Sequence, residues 1–150
     1  MKSTPTNRDL AKTIKRFIRF GLVGTSGVAV DMGVLYLLTD PKFLPVNILL
    51  SKPVAAEVAI VNNFAWNEFW TFADTPAATQ THWQARFRRF AKFNLICLAG
   101  IGLSLALIKA QLNWLGMNVY LANLIAIIVV SLWNFVLTLK FGWNEPTYRV

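Results

Sequence analysis

At 150 residues, 55% apolar, 13% aromatic and only 15% charged, with a positive mean hydropathy, the chain is too apolar for an ordinary soluble domain of its size and reads as a membrane protein. Its net charge of +8 raises nucleic acid as a partner, but the cations flank apolar segments, so anionic membrane lipids are expected instead and nucleic acid is not. The lone Cys97 lies inside an apolar run, which excludes an intrachain disulfide framework or a cysteine metal cluster and leaves packing as its expected role.

Residues 1–15 form a basic segment ahead of the first apolar stretch, at about 17–39. That stretch is too long for a signal-peptide h-region and lacks a clean small-residue cleavage site, so it is read as a retained span. Gly21, Thr25, Ala29 and Gly33 recur every fourth residue along it and are expected to form a helix packing face. Gly21, Gly24 and Gly27 do not have dinucleotide-fingerprint spacing. Pro41 and Pro45 break the first connection before a second span at about 48–71, and Asp74 to His82, with Pro76, forms the middle loop. A third span at about 91–112 turns at Asn113 to Asn118 around Gly116 into a fourth at about 118–141. Each is long enough to cross ~30 Å of hydrocarbon, which takes about 20 helical residues. The expected fold is therefore an all-α membrane protein with four transmembrane helices, and no room for a soluble catalytic domain.

The chain repeats itself. Arg16-Phe17-Ile18-Arg19-Phe20 returns as Arg89-Phe90-Ala91-Lys92-Phe93, 73 residues later, and Asn63-Phe64 returns as Asn134-Phe135 at an offset of 71. Residues 1–150 thus form one transmembrane domain made of two tandem two-helix repeats, about 16–72 and 89–143. An even number of crossings per repeat gives both copies the same orientation, with the relating axis along the membrane normal. Lysine and arginine set that orientation. Lys2, Arg8, Lys12, Lys15, Arg16, Arg19, Arg86, Arg88, Arg89, Lys92, Lys140 and Arg149 lie on one side, and Lys42, Lys52 and Lys109 on the other. The positive-inside rule then predicts cytoplasmic N and C termini and a cytoplasmic middle loop, in a multi-pass protein of the cytoplasmic (inner) membrane.

The basic clusters have two readings: topology determinants that snorkel to ordinary lipid phosphates, or a site. Arg16 and Arg19, like Arg89 and Lys92, are three residues apart on one helix face, and arginine suits bidentate phosphate contact, so the two pairs are candidate lipid-phosphate binders. Inside the spans, Asp31 and Glu57 are candidate polar-path residues, because an ionised carboxylate in hydrocarbon is costly unless paired, hydrated or protonated. With the turn centred near residue 45 they lie within about 3 Å of the same depth and are expected to share one polar site; the bland reading gives them a role in assembly. Their second-half counterparts are Ser104 and Ile128, so this pair exists once. Asn62, Asn63, Asn67 and Glu68 continue the polar run, with Trp66 and Trp70 beside it. Asn63 and Asn67 share a face and, with Asn134 as the counterpart of Asn63, offer donors and acceptors to sugar hydroxyls. Interhelical hydrogen bonding and an interfacial aromatic belt are the structural alternatives. His82 is the sole histidine and has no neighbouring ligands. No metal constellation, catalytic set or cofactor motif is found, and an enzyme is not expected.

These residues carry a resemblance. Arg16-Phe17-Ile18-Arg19-Phe20-Gly21-Leu22-Val23-Gly24, Asp31, Glu57, the run from Asn62 to Phe72, Arg89 to Asn94, and Leu121-Ala122-Asn123 through Trp133-Asn134-Phe135 together resemble the GtrA family over residues 16–143. The second half departs from the family pattern after Phe135, keeping only Thr138 and Lys140 of the polar and basic residues usual there. The resemblance implies a small four-helix membrane protein that flips a polyprenyl-phosphate-linked monosaccharide for cell-surface glycan synthesis, beside a partner polyprenyl-phosphate glycosyltransferase. Four short helices enclose little volume, so a homo-oligomer or heteromeric complex is expected. The alternatives are a membrane anchor that recruits such a glycosyltransferase, and a small proton-coupled exporter; the latter would place its key glutamate in the first helix, where this chain has Asp31.

Overall fold

The computed structural model describes residues 7–143, and among these it is helical and turn structure without strands. Lys2 and Arg149 of the topology argument, and the side chain of Arg8, lie outside the described residues. Helix α1 runs Asn7–Thr39, α2 Ile48–Trp66, α3 Trp83–Leu115 and α4 Val119–Leu137; α2 and α4 each continue into a five-residue π turn, Asn67–Thr71 and Thr138–Gly142. All four helices are long and apolar enough to cross a membrane. The chain divides between Asp74 and Thr75 into two helical hairpins.

The helices begin earlier than hydropathy predicts. α1 starts at residue 7 rather than 17, and α3 at 83 rather than 91. Those leading turns hold lysine, arginine, glutamine and alanine, which are good helix formers even though they are not membrane-soluble. At 33 residues each, α1 and α3 are about 50 Å long and exceed a hydrocarbon core.

In the first hairpin the turn after α1 is closed by Val46 N–H donating to the Leu38 carbonyl at 2.8 Å. Asn47 caps α2 by accepting from Leu49 N–H at 2.8 Å, which satisfies one of the orphan donors at the helix start. The second hairpin uses the same cap at Asn118, which accepts from Tyr120 N–H at 2.9 Å. Its turn passes through Gly116 at φ 58°, where its N–H donates to the Gln111 carbonyl. That left-handed C-cap is why a glycine stands there.

Packing inside each hairpin is carried by small residues on the second helix. Ser51, Ala55 and Ala59 of α2 are buried, as are Ala122 and Ala126 of α4. On the first helix of each hairpin the buried residues include Val23 and Gly27 of α1, and Ile96 and Gly100 of α3. Such spacing lets backbones approach closely in lipid, where association depends on van der Waals fit. The expected stripe on α1 is therefore corrected: Gly21, Thr25, Ala29 and Gly33 are all exposed. The packed face is displaced from them by two residues, nearly half a turn.

The closest approach is a glycine against an asparagine, and it occurs twice. A Cβ on Gly27 would sit 2.7 Å from Asn63 Cγ, and one on Gly100 2.6 Å from Asn134 Oδ1. Each π turn then ends on a fully buried aromatic residue. Phe72 N–H donates to the Asn67 carbonyl at 2.9 Å, and Trp143 N–H to the Thr138 carbonyl at 3.2 Å; both are i to i+5 bonds, the signature of a π turn. The extra residue in the turn turns Phe72 onto Phe20 (ring centroids 6.3 Å apart) and Trp143 onto Phe93 (6.2 Å).

Candidate functional site

The basic end of the first hairpin is closed by two arginines. Arg16 forms a forked pair with Asp74, Nη2 to Oδ2 at 2.9 Å and Nε to Oδ1 at 3.3 Å. Arg19 Nη1 donates to the Trp70 carbonyl at 3.0 Å, and its guanidinium lies over the Trp70 ring, 5.1 Å from the centroid. The helix C-terminus gathers partial negative charge, so a cation there is favourable. The second hairpin repeats one of these contacts and alters the other. Lys92 Nζ donates to the Phe141 carbonyl at 3.2 Å, whereas Arg89 is only 1% exposed and donates to the Gln80 carbonyl at 3.1 Å. The four cations expected to hold a phosphate thus each have a partner within their own hairpin, and Arg89 is covered.

Asp74 has a carboxyl below the usual carboxylate value of 3.8: partial burial alone would raise it, but the hydrogen bond and charge of Arg16, with smaller help from its own backbone N–H and from Lys12, outweigh that. Because the folded value is depressed, the pair's contribution is complete above 3.8 and is lost as pH falls through the folded value. The Asp74 side chain is 60% exposed, so Asp74→Asn is expected to cost at most about 1 kcal/mol at neutral pH. Denaturation of the two proteins compared across pH should show that difference vanish once Asp74 is protonated; a difference that persists in acid would assign the effect to shape rather than charge.

The intramembrane polar residues are distributed differently from expectation. Asp31 forms an ion pair with Lys52, and Glu57 is exposed. Lys52 was read from sequence only as a cation of the opposite side. The missed signal is depth: Asp31 lies eight residues before the end of α1 and Lys52 four after the start of α2, a gap of about one turn that a lysine side chain bridges. Asn63 is seated against Gly27, and Asn62 Nδ2 donates to Ser26 Oγ at 3.2 Å. Asn67 is 1% exposed at the start of its π turn, and its Oδ1 has no hydrogen-bond partner; Thr71 Oγ1, Asn134 Oδ1 and Thr138 Oγ1 share that condition.

Between α1 and the end of α2 lies an open groove of about 330 Å³, lined by Leu22, Val23, Ser26, Trp66 and Trp70. The two indoles meet edge to face, centroids 6.5 Å apart and planes inclined at 77°. Sequence reasoning singled out the tryptophans but not the residues of α1 that complete the groove.

The family model described as GtrA/DPMS, transmembrane domain, matches residues 19–143, from the arginine that closes the first hairpin to the tryptophan that ends the second. The chain belongs to the GtrA/DPMS transmembrane-domain family. It is 31% identical over 134 residues to a dolichol-phosphate mannosyltransferase of Pyrococcus furiosus, a match that covers 87% of this chain and 34% of the relative. It is 29% identical over 129 residues to the uncharacterized membrane protein YngA of Bacillus subtilis, covering 85% of this chain and 78% of that protein. The chain thus spans about a third of the length of the archaeal relative. Four apolar helices and the match to a transmembrane domain make this GtrA/DPMS chain a multi-pass membrane protein, related by family to polyprenyl-phosphate sugar biosynthesis.

Proposed function

We propose that this GtrA/DPMS chain translocates a polyprenyl-phosphate-linked monosaccharide across the cytoplasmic membrane, as a non-catalytic carrier with both termini in the cytoplasm. The observation that supports this best is the one-sided distribution of carboxylates, which the spans of the first hairpin hold and those of the second do not. The spans of the first hairpin hold Asp31, Lys52, Glu57, Asn62, Asn63, Asn67 and Glu68, where the second holds Ser104, Asn123, Ile128, Trp133, Asn134, Thr138 and Leu139. Ionisable groups in a span are expensive and mark substrate pathways, and a path of side-chain hydrogen bonds replaces the hydration that a sugar loses in hydrocarbon. In this reading the basic end receives the lipid phosphate, Asp31, Glu57, Asn63 and Asn67 line the sugar's route with a contribution from Asn134, and the polyprenyl tail stays in the bilayer. Homo-oligomerisation or a glycosyltransferase partner completes the enclosure.

The length of the archaeal relative favours a second reading. Most of that mannosyltransferase lies beyond the part matched here, so the domain can serve as a membrane anchor for a glycosyltransferase.

Proteoliposomes carrying a fluorescent or radiolabelled polyprenyl-phosphate monosaccharide separate the two. Carrier function predicts protein-dependent flipping that falls by about tenfold or more, or ~1.4 kcal/mol in the barrier, in Glu57→Gln and in Asp31→Asn. Correctly folded protein that gives no more than the protein-free rate would sink the carrier reading and leave the anchor.

A further inference from the structure

Resting on that reading, we propose that the groove of Leu22, Val23, Ser26, Trp66 and Trp70 holds the phosphate-proximal isoprene units of a polyprenyl phosphate, with Arg19 on the phosphate. The lining is carbon-rich. The polar group on its floor is already engaged, since Ser26 Oγ donates to the Val23 carbonyl at 2.8 Å and accepts from Asn62. A sugar ring placed there would leave hydroxyls without partners, a cost that an isoprenoid chain does not carry. The tryptophans therefore face the lipid part of the substrate, not its pyranose.

Arg19 stands one turn before Leu22 and Val23 on α1, at the end of the groove nearest the interface. The Trp70 carbonyl takes one of its N–H groups, whereas a guanidinium has five donors in a planar fork. Stacking on the indole holds that fork in place, which lowers the entropy lost on gripping a phosphate. A volume of about 330 Å³ accommodates roughly ten non-hydrogen atoms at ~30 Å³ each, or two isoprene units. The angular cleft between two inclined indoles suits flat, methyl-branched alkene units better than a straight acyl chain.

The repeat supplies an internal comparison. The corresponding positions of the second hairpin are Lys92, Leu95, Ile96, Ala99, Leu137 and Phe141. They lack both indoles, the hydroxyl and the guanidinium, so the site belongs to the first hairpin alone.

The test is photolabelling of the full chain in phosphatidylcholine nanodiscs with a diazirine analogue of farnesyl phosphate, mapped by mass spectrometry. Saturable labels are expected at residues 22–26 and 66–70, displaced by farnesyl phosphate at least tenfold better than by phosphatidylglycerol or farnesol. Arg19→Gln should weaken farnesyl phosphate by about tenfold, the scale of a charge-assisted contact. Lys15→Gln removes the same charge one turn away and should stay within about twofold, as expected of a screened surface charge. Equal labelling of residues 95–99 and 137–141, equal displacement by phosphatidylglycerol, or equal effects of the two substitutions would overturn the assignment. Saturable labelling elsewhere in the chain removes the groove but keeps the proposed function; no saturable labelling at all removes both.

Discussion

Gly27→Val is expected to lower the stability of the first hairpin by about 1–3 kcal/mol, the cost of overpacking a filled contact, while Gly24→Val, three residues away on the same helix, leaves it nearly unchanged. The difference lies in what a new side chain meets. A Cβ at Gly24 has nothing within 4 Å, whereas one at Gly27 falls on the carboxamide of Asn63. That amide is the end of a short side chain with two rotatable bonds, and it is packed between helices, so it can yield only by opening the crossing or moving its own backbone. Helix propensity works the other way, since glycine is about 1 kcal/mol worse than alanine in a helix interior; Gly24→Ala should therefore be neutral or mildly stabilising. Gly27→Ala combined with Asn63→Ala should recover most of the loss from Gly27→Ala alone, with a coupling of about 0.5–3 kcal/mol. The same cycle at Gly100 and Asn134 should give the same sign, with Val130 adding a further contact at 3.1 Å. Denaturant titration in micelles, read by helicity, measures all of these variants. Equal midpoints for Gly24→Val and Gly27→Val would show that the crossing is looser than described.

The second large effect is expected at the ion pair. Lys52→Met leaves Asp31 without its cation, and Asp31→Leu leaves Lys52 without its anion. Lys52→Met should destabilise by about 2–3 kcal/mol, the scale of an uncompensated charge at helix-centre depth, and Asp31→Leu by less, because Lys52 stands near the turn and its side chain can snorkel to water. The double variant Lys52→Met with Asp31→Leu removes both charges and should lie close to the native protein, because replacing a paired set by apolar groups is often neutral or better. Strictly additive losses in this cycle would mean that the two residues act separately. The pair also bears on transport. If only the single variants lose flipping, the charges matter through the fold; if the stable double variant loses it too, they belong to the route of the sugar.

Much of the architecture is visible in the amino-acid order because hydropathy and turn chemistry act locally. Pro41, Pro45, Gly116 and Asn118 mark the two hairpin turns, and the structure turns where they stand. The repeat of Arg-Phe-x-basic-Phe foreshadows the contact of Arg19 with Trp70 and of Lys92 with Phe141. Other features depend on information that spacing does not carry. The packed face of α1 runs through Val23 and Gly27 rather than Gly21, Thr25 and Ala29, because Asn63 of α2 comes against the backbone at Gly27; a stripe on one helix cannot reveal that. The π turns rest on where Phe72 and Trp143 are buried, a tertiary demand with no local signature. The partner of Asp31 was missed because equal depth of Cα atoms favoured Glu57, whereas a long lysine side chain reaches down from nearer the turn.

Four contacts that close the first hairpin lie within residues 16–74: the Gly27 crossing, the Lys52 pair, the Arg19 contact with Trp70 and, last to be synthesised, the Arg16 pair with Asp74. Completing α3 then needs the 41 residues from Thr75 to Leu115, about 2–8 s of translation at ~5–20 residues per second. During that interval the nascent chain already holds every residue of these contacts. Closure of the first hairpin can therefore begin as soon as Asp74 is available to Arg16, before α3 is complete.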